Sequence, residues 1–242
     1  MPRAAKKPTA GARTAPILST TYRRDTMQLL LTAASKDAAR VNIAGVWVYP
    51  GGCAASTDGH TMIMVRGAGA DDSQRPEWTD AAFWSKPLAF IDREDWRRLI
   101  ATTPKGHYVA IEGTTPEDDE HATDVRVEIT AARGMDGTTA MPIRNRMTGA
   151  IKRTAPPFHN VYPSKDQREP VELLGINPLK LATIAKALNA AIASNTVAMV
   201  QHGELGPVLL AARDADRDIE TIGVVMPIRL GGKDTPHCTM AL

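Results

Sequence analysis

The residues that could do chemistry in this sequence are few, and their spacing fits no common catalytic or metal site. The six histidines show no metal-ligand spacing; they stand at positions 60, 107, 121, 159, 202 and 237. Asp214, Asp216 and Asp218 have the spacing that opens a calcium loop, but residues 219 and 225 are not the Gly and Glu that such a loop needs. A P-loop, a dinucleotide fingerprint, a His-Glu-x-x-His motif and a Gly-x-Ser-x-Gly elbow are all missing. We therefore expect no enzyme, no metal and no cofactor.

His60 is a catalytic candidate only in isolation, and its place beside an Asp58-Gly59 turn favours a structural or contact role. Cys53 and Cys238 are the only cysteines, which is typical of a reducing cytoplasm. No run of 18 apolar residues predicts a membrane span, and no apolar stretch follows the basic N-terminus as in a secretory signal. The composition, with 43% hydrophobic and 23% charged residues, is typical of a soluble globular protein.

The formal net charge of +2 is unevenly distributed along the chain. Residues 1–16 contain four basic and no acidic residues, so the remainder has 29 − 4 = 25 basic against 27 acidic residues, or −2. The first 17 residues are also rich in Ala, Pro, Thr and Gly, and we expect a disordered basic tail. Such a tail could contact nucleic acid, or it could be only a solubilising or vector-derived segment.

Three segments predict helices, and each is followed by strands. The helices are expected at 25–37, 92–103 and 177–192, with N-caps at Asp25, Asp92 and Asn177. The strands are expected around 41–48, 53–65 with a turn at Asp58-Gly59, 107–112, 124–131, 138–144, 196–202, 206–213 and 221–230. The acidic run 117–120 predicts a solvated loop. Strands joined by short turns favour antiparallel pairing. The sequence therefore indicates an α+β fold in which a unit of one helix followed by several strands occurs three times.

Three segments resemble the bacterial DNA sliding clamp, the beta subunit of DNA polymerase III. Ser56–Met62 is similar to the Thr-Asp-Gly-His-Arg-Leu turn of the middle clamp domain, with Thr61 in place of the Arg. Val224–Leu230 is similar to the C-terminal Val-Met-Pro-Met-Arg-Leu of the family. Between them, 156–163 is similar to the linker that leaves the middle domain. Their order along the chain strengthens the resemblance.

The resemblance covers 18–230 and implies a DNA-clamp fold with about three half-domains per chain. Residues 1–17 would be the tail, 18–163 a clamp domain like the middle one, 164–230 a half-domain like the C-terminal half of the last one, and 231–242 a second tail. A clamp ring contains twelve such halves, so four of these chains would be needed. A chain shortened in this way suggests a phage or mobile-element origin.

In the family, the helices face DNA phosphates and a groove between the middle and last domains captures partner peptides. The resemblance places DNA contacts on basic residues around the three helices: Arg23, Arg24, Lys36, Arg40, Arg93, Arg97, Arg98, Lys180 and Lys186. It places the peptide groove at Thr57, Gly59, His60, Met62, Pro157, Val161, Pro207, Val208, Val225, Met226, Pro227, Ile228, Arg229 and Leu230. The alternatives are that the basic residues are ordinary solvated helix faces and that Val225, Met226 and Ile228 are core residues of a strand.

The implied function is that of a sliding-clamp-like processivity factor. It would encircle or contact duplex DNA without reading its sequence, and tether a polymerase or other replication proteins through their clamp-binding peptides. A homo-oligomer and a clamp loader are implied partners, and no membrane is implied. The alternative hypothesis is a non-ring adaptor or decoy that binds clamp-interacting peptides without encircling DNA.

Overall fold

The fold is seen in a computed structural model, which describes a large part of the chain. The described residues are 17–67, 75–105, 107–114, 127–133, 137–142, 153–162, 174–192, 196–203, 206–214 and 219–228. The predictions for the N-terminal tail, the acidic run 117–120, the tail 231–242 and the groove residues Arg229 and Leu230 lie outside the described residues.

The described elements are four helices, eleven strands and one 3₁₀ turn. The helices are α1 (Arg24–Ala33), α2 (Ala81–Trp84), α3 (Arg93–Thr102) and α4 (Pro178–Ile192), and the 3₁₀ turn is Phe158–Val161. The strands are β1 (Ile17–Arg23), β2 (Gly45–Val48), β3 (Ala54–Thr57), β4 (Thr61–Arg66), β5 (Ala89–Asp92), β6 (Tyr108–Thr114), β7 (Val127–Arg133), β8 (Gly137–Pro142), β9 (Ala198–Val200), β10 (Val208–Asp214) and β11 (Ile219–Val225).

The three predicted helices are confirmed, but the three predicted N-cap residues differ in what they do. Asn177 does cap α4, because its side-chain oxygen accepts hydrogen bonds from the backbone N–H groups of Leu179 and Lys180 at 3.0 and 3.2 Å. Asp92 stands at the N-cap position of α3, as predicted, but its side chain makes no capping hydrogen bond and instead accepts one from Arg153 at 2.8 Å. Asp25 lies in the first turn of α1, since that helix begins at Arg24.

The strands form two antiparallel sheets. The first unit (β1, α1 and β2–β4) and the second unit (β5, α3 and β6–β8) exchange their first strands. The four-stranded sheet has the order β1-β6-β7-β8, and the seven-stranded sheet has the order β5-β2-β3-β4-β11-β10-β9. Strand β1 precedes α1 but pairs with β6, and β5 precedes α3 but pairs with β2. The sequence predicted neither β1 nor β5. The third unit, which consists of α4 and β9–β11, joins the first through the pairing of β11 with β4.

Helices α1, α3 and α4 lie on one side of the sheets, over an aliphatic core. Leu30, Leu99 and Leu188 contribute to this core from the three helices, and each is almost fully buried. The other side of the seven-stranded sheet is covered by an aromatic core that includes Trp47 and Trp84. Within the described ranges, no helix combines the length and apolar character that a bilayer crossing requires.

Candidate functional site

The turn between β3 and β4 is built around the Asp58 side chain. One of its carboxylate oxygens accepts hydrogen bonds from the backbone N–H of His60 at 2.9 Å and of Thr61 at 2.7 Å. The same oxygen accepts the Thr61 hydroxyl at 2.9 Å. These bonds fix the turn as an Asx-type turn, and Gly59 supplies the positive φ of 87° that it requires. His60 is therefore held with its side chain exposed to solvent.

Arg40 lies against this turn and not on a DNA-facing helix surface. Helix α1 ends at Ala33, and the Arg40 guanidinium donates a hydrogen bond to the Asp58 carbonyl at 2.7 Å. A Cβ atom at Gly59 would lie only 2.7 Å from Arg40 Nη2, so glycine also provides the space that the guanidinium occupies. The structure thus places Arg40, a predicted DNA contact, at the edge of the groove.

The end of β11 forms the second side of the groove. Val224 and Val225 pair with Met62 and Thr61 of β4, and the Met226 backbone N–H donates to the His60 carbonyl at 2.9 Å. Pro227 has no N–H group with which to continue the ladder. Met226 is 39% exposed, so its side chain is available at the surface where the strand ends.

The segment 153–162 forms the third side of the groove. Arg153 anchors it by donating hydrogen bonds to the Val41 carbonyl at 2.9 Å and to the Asp92 carboxylate at 2.8 Å. The Arg153 guanidinium also lies over the Phe90 ring, 4.7 Å from its centroid. Phe158 follows in the 3₁₀ turn and is almost fully buried in the aromatic core. This packing holds the linker beside the end of β11.

These three segments enclose an open cavity of about 280 Å³ on the side of the sheet opposite the helices. It is lined by Arg40, Ile43, Thr57, Gly59, His60, Thr61, Met62, Pro156, Pro157, Phe158, Val161, Val224 and Met226. Seven predicted groove residues are therefore together here: Thr57, Gly59, His60, Met62, Pro157, Val161 and Met226.

The other described groove candidates do not line the cavity. Val208 and Val225 pair with each other across β10 and β11 and are almost fully buried in the sheet. Val225 belongs to the core under the helices, whereas Val224 faces the cavity. Alternation along β11 could have identified this, because Val224 and Met226 share one face of a strand. Pro207, Pro227 and Ile228 do not line the cavity either.

The lining is mainly apolar, and the Asp58 carboxylate of the adjoining turn is paired with a cation. Lys180, at the start of α4, forms an ion pair with Asp58 on the turn. Burial opposes ionisation of the Asp58 carboxyl, but the Lys180 ammonium and the turn's N–H and hydroxyl donors outweigh it and lower the pKa of Asp58. The cavity can therefore accept apolar side chains, with Arg40, His60 and backbone groups at its edge.

Besides Arg40, two more of the basic residues predicted to contact DNA are engaged inside the molecule. The Arg93 guanidinium donates to the carbonyls of Leu31, at 2.8 Å, and Ala34, so it caps the C-terminal end of α1. Lys180 is the partner of Asp58 in the groove turn.

The other basic residues predicted to contact DNA lie closer to solvent. Arg97 and Arg98 are exposed and pair along α3 with Glu94 and Asp95, at 3.1 and 3.3 Å. Arg23 pairs with Asp25 at 3.4 Å, and Arg24 is half-buried. Lys36 and Lys186 are exposed, and Lys186 lines a separate cleft between α1 and α4. The helix side therefore carries a modest basic surface.

The part of the chain that the structure describes contains no group of three His, Cys, Asp or Glu side chains able to hold a metal ion. His60 thus stands in the groove without a cluster of metal-ligating neighbours there. The groove presents apolar side chains together with polar side chains that can form hydrogen bonds.

Solved structures of bacterial DNA polymerase III beta subunits have a similar fold. The beta subunit from Thermotoga maritima aligns with 95% of this chain and 70% of its own chain, with a TM-score of 0.51 and 13% identity. The beta subunit from Streptococcus pyogenes aligns with 95% of this chain and 68% of its own, with a TM-score of 0.46 and 13% identity. No family model and no curated protein sequence matches the chain. The expected α+β DNA-clamp fold is confirmed.

Proposed function

We propose that this protein is a clamp-like factor of DNA replication that holds peptide segments of its partners in the groove at the β4–β11 junction. The observation that carries the proposal is the apolar cavity formed where the Asp58 turn, the end of β11 and the segment 153–162 meet. The fold supports the same reading, because the similar structures are beta subunits of a DNA polymerase.

The shape and chemistry of the cavity suit a short peptide with apolar anchors. A volume of about 280 Å³ accommodates large aliphatic or aromatic side chains but not a folded domain. Met62, Val161 and Val224 provide apolar walls, and exposed Met226 can adjust to different anchors because its side chain is flexible. Affinity in such sites comes from a few anchors in desolvated pockets. A partner with closely spaced Leu and Phe side chains fits this description.

The helix side is the proposed DNA surface. It lies on the opposite side of the sheet from the groove, so a peptide and a duplex could be bound at the same time. Its exposed cations include Arg97 and Arg98 on α3 and Lys186 on α4, and exposed Lys36 follows the end of α1. Contacts of this kind are made to phosphates and do not read sequence, as a sliding protein requires. A homo-oligomeric ring, a clamp loader and a phage origin stay predictions.

A second candidate function is an adaptor or decoy that binds peptides without encircling DNA. It is favoured by the internal roles of Arg40, Arg93 and Lys180, which reduce the number of cations available to phosphates. Arg97 and Arg98 are also balanced by acidic neighbours on their own helix. Both candidates require the groove, and only the first requires retention on DNA.

Two measurements test the proposal and separate the candidates. Fluorescence anisotropy with a labelled hexapeptide bearing Leu and Phe anchors should show saturable binding, and the same peptide with both anchors changed to Ser should not bind. Absence of binding by the anchored peptide would overturn the proposed groove function. Gel filtration with nicked circular DNA should then show protein retained on the circle and lost after linearisation. Peptide binding without such retention would select the adaptor.

A further inference from the structure

Among the described strands, β9 of the third unit stands at a sheet edge, whereas the equivalent strands of the other two units each have a further partner strand. Strand β2 pairs with β5, and β6 pairs with β1, so each of these strands is covered by the first strand of the other unit. Strand β9 occupies the same place in the third unit, directly after the helix. It pairs with β10 on one side and stands at the end of the seven-stranded sheet, and no described strand covers its other side.

The burial of side chains differs in the same way. Val46 and Val48 of β2, and Val109 and Ile111 of β6, belong to the core under the helices and are fully buried. Met199 of β9 lies opposite Leu210, which belongs to that same core, so it also points to the helix side. Yet Met199 is 55% exposed.

Helix α4 has an open side next to this strand. The fourth residues of α1 and α3 are Met27 and Trp96; both are fully buried, and Trp96 Nε1 donates to the Met27 carbonyl at 2.9 Å. The fourth residue of α4 is Leu181, which is only half-buried. The other side of α4, around Thr183 and Lys186, faces α1.

We propose that a second copy of this chain covers the open side of α4 and β9. The third units of the two chains would then form one complete domain across a two-fold axis. The contact between α1 and α3 joins equivalent positions, the fourth residue of each helix. The domain formed by the first two units therefore already has a pseudo-two-fold arrangement, which two copies of the third unit can also adopt. An interface between identical surfaces must be self-complementary. In the dimer, Leu181 and Met199 become buried.

The charge distribution on α4 favours a second copy over a charged partner. A two-fold axis brings identical residues close together, so a charged residue on this side would meet its own charge. The open side of α4 presents Leu181, Ala182, Ala185 and Asn189, which carry no charge. The lysines of the helix lie elsewhere: Lys180 pairs with Asp58, and Lys186 lies in the cleft between α1 and α4. This inference rests on strand pairing and burial, and it does not depend on peptide binding in the groove.

Light scattering coupled to size exclusion tests the proposal on the full chain across a concentration series. We expect a mass at least twice the 26.1 kDa of one chain, and we expect Met199→Glu to lower it. Because Met199 is exposed in the single chain, its substitution should leave the circular dichroism spectrum unchanged. Gln28→Glu makes the same charge change at an exposed position of α1, and it should leave the mass unchanged. A mass of one chain throughout, or an assembly that Met199→Glu does not alter, would overturn the proposal.

Cross-linking provides a second readout that does not depend on dissociation. Leu181→Cys, in a chain that also carries Cys238→Ser, should give a covalent dimer with a short bismaleimide, because equivalent fourth residues meet at the axis. The remaining Cys53 is buried and should not react. Thr183→Cys, on the side of α4 that faces α1, is the matched control and should stay monomeric. Equal yields from the two variants would contradict the proposed axis.

Discussion

The Lys180 ammonium, at the start of α4, forms an ion pair with the Asp58 carboxylate in the turn that shapes the groove. The two residues belong to different units of the chain and are brought together by the pairing of β4 with β11. The pair links the position of the third unit to the conformation of the turn. It also engages one of the cations that were predicted to contact DNA.

Asp58→Asn should reduce the free energy of unfolding by about 1 kcal/mol at pH 7, because Asn loses the ion pair with Lys180. The pKa of Asp58 is lower in the folded protein than its ordinary 3.8. Its contribution is therefore fully present above pH 3.8 and is lost as the pH falls through the folded-state pKa. Urea denaturation at pH 7 and at pH 3 should show the difference between wild type and variant shrinking in acid.

Lys180→Met is the matched test of the same pair. It should cost a similar free energy at pH 7, and the double variant should cost little more than either single variant. Additive losses would show that the two side chains contribute independently.

Met226→Asp should weaken binding of the anchored hexapeptide by more than tenfold, since it places a charge in the apolar cavity. Met226 is partly exposed after the end of β11, so the fold should be retained, as circular dichroism would show. Leu179→Asp introduces the same charge at an exposed position that does not line the cavity, and it should leave the affinity unchanged. Equal affinities for Met226→Asp and wild type would exclude the cavity as the peptide site.

Replacing both Arg97 and Arg98 by Glu should weaken DNA association and reduce its dependence on salt. Each lost phosphate contact is expected to lower the slope of log K against log salt by about 0.9. Arg213→Glu is a suitable control, because Arg213 is exposed on β10, on the side of the sheet away from the helices. Filter binding at several salt concentrations gives the slopes, and identical slopes for the α3 variant and wild type would remove these arginines from the DNA surface.

Gly223→Ala should destabilise the packing of α4 on the sheet by about 1–3 kcal/mol. A Cβ atom at Gly223 would lie 2.3 Å from Ile184 Cγ2 and 3.2 Å from Leu188 Cδ1. Thermal unfolding measures the loss. In a chain that carries Ile184→Ala, which removes the colliding methyl group, the same glycine substitution should cost much less. Equal costs in both backgrounds would show that α4 does not lie this close to β11.

Local sequence patterns determined much of the groove. The Asp58-Gly59 pair specified a turn because the Asp side chain bonds the N–H groups that follow it and Gly accepts positive φ. Asn177 and Pro178 specified the start of α4 by capping and by a preset φ. These features depend on residues within a few positions of each other, so they can be predicted without the fold.

Only the tertiary structure decided which strands pair and which cations are engaged. Short β5 has no clear alternation, and β1 pairs with β6 about ninety residues away. Arg40, Arg93 and Lys180 have the same sequence signature as solvated helix residues, and their partners lie on other elements. A long side chain can reach partners that are distant in sequence, so its role depends on the packing of whole elements, which local patterns do not contain.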